Sequence, residues 1–109
     1  MNSPTFVCEE GYLLVFSTRE AAESYCEAQF VVEYDYEAYG SDGYQLELTI
    51  TPDRFVAIKP MIPPVNKSDE LRELIQKFLR IGETPASEDW LTSATLEELV
   101  EKALEYKLW

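Results

Sequence analysis

Two spacings of apolar residues organise this chain. Tyr12-Leu13-Leu14-Val15-Phe16 is an apolar run consistent with a buried strand. Residues 1–10, before it, read as a short frayed lead-in. Ser17 and Glu20 then form a Ser-x-x-Glu capping box for a helix running to about Gln29. Its apolar positions Ala21, Ala22, Tyr25 and Cys26 share one face, and Glu20, Glu23 and Glu27 share another. From Phe30 to Tyr39 the period changes to two: Phe30, Val32, Tyr34, Tyr36 and Ala38 alternate with Val31, Glu33, Asp35, Glu37 and Tyr39. Asp42-Gly43 marks a tight hairpin turn, and Tyr44 to Thr51 alternates again. Pro52-Asp53 fits the centre of a type I turn, leading into a strand from Arg54 to Lys59.

Pro60, Pro63 and Pro64 end this strand region. The period then returns to that of a helix. Ser68 reads as a cap, Asp69 and Glu70 suit the positive end of the helix dipole, and Lys77 and Arg80 suit the negative end. Leu71, Leu74, Ile75, Phe78 and Leu79 form the stripe to be buried. Residues 83–94 read as a loop holding one helical turn at Ser87–Trp90. Thr95 and Glu98 make a second capping box, ahead of a helix burying Leu96, Leu99, Val100, Ala103 and Leu104. The predicted order is β-α-β-β-β-α-α. It implies a single α/β (α+β) domain over 1–109: a two-layer sandwich of a mainly antiparallel sheet with helices on one face. On that arrangement the other face of the sheet is wet and acidic.

Charge adds the question of partners. Hydrophobic residues make up 46% of the chain, enough for a core, while 21 acids against 9 bases and no histidine give a net charge of −12. Such a field disfavours direct contact with nucleic acid or an anionic membrane and favours encounter with a basic partner. The imbalance is local. From Glu20 to Asp53 there are nine acids and no lysine or arginine, whereas residues 60–109 carry ten acids and six bases. Like charges at successive same-face positions repel one another, so an acid-only strand face suggests that its neutralising charges come from a partner. Glu33, Asp35, Glu37 and Glu47 lead that face, with Asp42 at the turn. Tyr39, of the same strand parity and near the turn, is the aromatic contact to expect, since tyrosine joins apolar area to a hydroxyl.

Catalytic chemistry finds little here. Without histidine there is no Ser-His-Asp or Cys-His catalysis and no imidazole metal ligand. Cys8 and Cys26 lie in no CxxC pattern, and the four glycines make no phosphate loop. Glu33, Asp35 and Glu37 stand too far apart along a strand, at roughly 6.5–7 Å per same-face step, for easy shared chelation. The expectation is a non-enzyme with no catalytic residue, metal or cofactor. The N-terminus lacks the basic and apolar regions of a signal peptide, so a cytoplasmic protein is expected, a monomer or weak homodimer. A small acidic α/β chain without catalytic groups resembles the immunity proteins of bacterial polymorphic and contact-dependent inhibition toxins. That resemblance implies a basic protein partner, a nuclease-type toxin domain whose phosphate groove the acidic face would fill. The chain is also similar in type to phage-encoded anti-CRISPR or anti-restriction inhibitors that mimic nucleic acid, and a small carboxylate-dependent enzyme is the third class.

Overall fold

A computed structural model describes residues 4–9, 12–26, 36–81 and 86–107. Five strands form one antiparallel sheet: β1 (Thr5–Glu9), β2 (Tyr12–Phe16), β3 (Tyr36–Gly40), β4 (Gln45–Ile50) and β5 (Val56–Pro60), in the order β2-β1-β3-β4-β5. The described helices are α1 (Arg19–Tyr25), α2 (Ser68–Arg80), α3 (Glu88–Ser93) and α4 (Leu96–Leu104). The α+β class, the antiparallel sheet and the C-terminal helices are as the pattern implies.

The segment expected to fray is instead an inner strand. β1 pairs with β2 on one side and β3 on the other, through Phe6 opposite Val15 and opposite Tyr39. Its side chains alternate between two cores. Phe6, Leu13, Val15 and Tyr39 lie under Leu71, Ile75 and Leu79 of α2, Leu91 of α3 and Leu99, Val100 and Ala103 of α4. Val7, Phe16, Ala38, Leu46, Val56 and Ile58 lie on the opposite face with Ala22 and Cys26. The helices therefore divide between the two faces, α1 on one and α2 to α4 on the other. β1 explains this: Phe6 and Val7 are both fully buried, which requires cover on both sides.

Local start signals were nearly right. The cap of α1 is Thr18 rather than Ser17, its hydroxyl accepting from the Ala21 N–H at 3.0 Å. Ser68 is the first residue of α2, and the Asn66 side chain accepts its N–H at 2.9 Å. Ser87 caps α3, a longer helix than the one turn expected, and the Thr95–Glu98 capping box closes reciprocally. Cys8 faces the α2–α4 core and Cys26 the α1 core, so no disulfide joins them.

Two hairpins share one loop geometry. In the β3–β4 turn the Gly43 N–H donates to the Gly40 carbonyl and the Gly40 N–H to Tyr44. In the β4–β5 turn the Arg54 N–H donates to Thr51 and the Thr51 N–H to Phe55. Each is a three-residue loop whose last residue takes positive φ, +87° at Gly43 and +66° at Arg54. Residues 65–67 then return along the first hairpin: Gln45 N–H donates to Val65, and Lys67 N–H to Gly43.

Candidate functional site

The acidic residues of the sequence reading divide into three groups. Glu33 and Asp35 lie outside the described residues. Glu37 and Glu47 come together: the β3–β4 register, carried one pair beyond Ala38–Leu46, sets them opposite each other. Asp42 stands apart at the hairpin tip, where its Oδ1 accepts the Tyr44 N–H at 3.0 Å.

Glu37 and Glu47 are exposed on the sheet face that also carries the α2–α4 core. Across the sheet the row runs Leu13, Cys8, Glu37, Glu47, Lys59. The helices cover its β2 and β1 end, and the β4–β5 end is open to solvent at Glu47 and Lys59. The acid row is thus not free of positive neighbours, because Lys59 stands opposite Glu47 and Lys67 bridges to Glu70 at 3.3 Å. These cations were invisible in the stretch from Glu20 to Asp53, which has no lysine or arginine, since both come from beyond it. They moderate the like-charge repulsion that made the face appear to need an external counter-charge.

Tyr39 requires a correction. It is only 1% exposed and belongs to the core, so its ring is no interface contact. Strand parity was read correctly, as Tyr39 shares its face with Glu37. That face, however, is covered at Tyr39 and open only two residues further along, at Glu37. The Tyr39 hydroxyl donates to Glu37 Oε2 at 2.7 Å. Burial pushes its pKa well above the ordinary phenol value, helped by the bond to Glu37 and the nearby charges of Glu37 and Glu70. The structural role of Tyr39 is to anchor Glu37 at the margin of the core.

On the other face a polar cluster gathers at the end of β1 and β3. Tyr36 lies opposite Glu9. Burial, the hydrogen bond to Glu9 and its charge raise the Tyr36 pKa strongly. Burial, with Glu9 next, pushes the Cys26 thiol up to about 11, which leaves it protonated and a poor nucleophile at neutral pH. Among the described residues no group of three or more Cys, Asp and Glu could hold a metal ion, and no helix is long and apolar enough to cross a membrane.

Two features escaped the sequence reading. Glu23 Oε2, on α1, accepts the N–H of Ile58 at 2.6 Å, so the helix caps the outer edge of β5. That carboxylate is occupied internally and does not belong to the acidic surface. The second is a cleft of about 240 Å³ between the β3–β4 turn, the start of α1 and the segment 60–64. Arg19 lines it beside Asp42. Both features need tertiary contacts that no local pattern encodes. Compared with family models, curated proteins and solved structures, the chain matches none.

Proposed function

We propose that this protein is a non-enzymatic inhibitor that docks an acidic surface onto a basic protein partner, in the manner of an immunity protein facing a nuclease-type toxin domain in the cytoplasm. The observation that carries this reading is the net charge of −12 combined with acids held at the surface: Glu37, Asp42, Glu47, Asp69 and Glu70 are all exposed around the β3–β4 hairpin and the start of α2. A sheet face open at its β4–β5 end gives a partner's cations access to Glu37 and Glu47. Glu37 is pre-positioned by Tyr39, which lowers the entropy lost on binding. The docking surface is accordingly drawn as Glu37, Glu47, Asp42 and Glu70, with Glu33 and Asp35 retained from the sequence pattern and Tyr39 withdrawn.

The test is capture at low salt with the tagged full chain from its native host, identification by mass spectrometry, and titration of the purified pair. The expected partner has a basic surface, and the affinity falls steeply as salt rises. A partner without basic character, bound with no dependence on salt, overturns the reading.

A further inference from the structure

The cleft at the hairpin holds a cation, Arg19, together with the acid Asp42. Arg19 is the only basic residue before Arg54 in the sequence. It is half-buried against the cleft wall, and no described carboxylate forms an ion pair with it. Lys67, Arg80 and Lys102 pair with glutamates and Arg72 donates to the Thr92 carbonyl, while the other described bases without an ion pair, Arg54, Lys59, Lys77 and Lys107, are exposed to solvent, unlike Arg19. The acid that shares the cleft, Asp42, has Oδ1 engaged by the Tyr44 N–H. Among the described residues, the planar fork of donors of this half-buried guanidinium has no carboxylate paired with it.

We propose that this cleft binds a carboxylate carried on a small apolar body, with Arg19 as the anion receptor. Ser41 and Gln45, which carry a hydroxyl and an amide, line the same cleft as Arg19, and Pro60, Met61 and Pro64 add apolar lining. The fixed φ of the two prolines keeps that lining in place without the ligand. A volume of 240 Å³ corresponds to roughly eight waters at about 30 Å³ each, room for one aromatic ring with its carboxylate. The negative field of the protein repels anions at long range, so retention depends on a short, bidentate, charge-assisted contact. The carboxylate belongs either to a free small acid or to a chain terminus, and the chemistry is the same. The inference stands whether or not the acidic surface binds a basic partner.

The test is a titration of the full chain with benzoate, followed through amide shifts of Gly40, Ser41, Gln45 and Met61 by NMR. Saturable shifts with a Kd on the order of millimolar are expected. Benzamide, neutral and of the same shape, is expected to bind about tenfold more weakly or worse. Arg19→Gln is expected to weaken benzoate by a similar factor, with Arg19→Lys between, since lysine keeps the charge and loses the fork. N-acetyl-Gly-Phe with a free C-terminus, against its C-terminal amide, assigns the source: preference for the peptide acid over benzoate indicates a chain terminus, and the reverse a free small acid. Equal affinity for benzoate and benzamide overturns the proposal, even if Arg19→Gln fails to fold. So does the absence of saturable shifts at about ten times the expected Kd, or a folded Arg19→Gln protein that binds benzoate as the parent does.

Discussion

The two hairpin loops are a matched pair, and exchanging their last residues reads out what each contributes. Gly43 has a φ of +87°, and a Cβ built there would lie 2.5 Å from both Cα and Cβ of Ser68. Alanine at Gly43 therefore meets two costs. The left-handed conformation costs an L-residue about 1–2 kcal/mol, and relieving a contact with backbone at the start of α2 costs about 1–3 kcal/mol more. The smaller entropy of the unfolded alanine chain returns about 0.4–1 kcal/mol. Gly43→Ala should thus destabilise by about 1–4.5 kcal/mol. Arg54 already bears the left-handed cost at +66°, is exposed, and lies at the loop tip. Arg54→Gly removes about 1–2 kcal/mol of that cost against about 0.4–1 kcal/mol of unfolded-state entropy, a net gain of up to about 1.5 kcal/mol. Gly40→Ala is the control, because its nearest contact is the Asp42 carboxylate oxygen at 3.0 Å, the end of a side chain that can move. Urea unfolding by tryptophan fluorescence measures all three, with changes in midpoint at constant slope read as stability. If Gly43→Ala and Gly40→Ala lost equal stability, or Arg54→Gly lost more than Gly43→Ala, the loop reasoning would be refuted.

Glu23→Ala removes the acceptor that caps the Ile58 N–H and should cost about 1.5–3 kcal/mol by urea unfolding, whereas Glu23→Gln, which keeps a carbonyl oxygen, should cost less. Alkaline pH should unfold the protein earlier than its surface charge implies. Cys26, Tyr36 and Tyr39 all have folded pKa values raised above their ordinary values of 9.0, 10.0 and 10.0. Their contribution is therefore complete below about pH 9 and is lost as pH rises, through pH 9–11 for Cys26 and from pH 10 upward for the tyrosines. Absorbance at 295 nm with circular dichroism should show Tyr36 and Tyr39 ionising only as structure is lost, and Tyr39→Phe should remove part of the alkaline sensitivity; their ionisation in a native spectrum would contradict this. Thr95→Ala should destabilise by about 1 kcal/mol or more, measured as a Tm shift, since it opens both arms of the capping box.

What the sequence disclosed, and what it withheld, follows from the range of the interactions concerned. Turns and caps depend on neighbours within a few residues, so Asp42-Gly43, Pro52-Asp53 and Thr95–Glu98 were legible, and the caps read at Ser17 and Ser68 were one residue off. The amphipathic stripe of α2 was legible for the same reason. β1 was missed because Phe6-Val7-Cys8 is too short an apolar run to stand out, and the two faces of its alternation are both buried. With helices expected on one face only, the face of Tyr39 looked wet, whereas Phe6 and Val7 of β1 are both buried and both faces are covered. The apparent absence of cations was a property of the segment and not of the surface, because Lys59 arrives by strand pairing. Glu23 looked like a member of a solvated helix face, and only the packing of α1 against β5 turns it towards Ile58.

The central claim is that the acids around the β3–β4 hairpin bind a basic partner. The most direct measurement is the affinity of the captured partner for the parent protein and for a variant combining Glu33→Gln, Asp35→Asn, Glu37→Gln and Glu47→Gln, each at two salt concentrations. The account predicts at least about a tenfold loss of affinity for the folded variant and a flatter dependence on salt. An unchanged affinity with an unchanged salt dependence would contradict it.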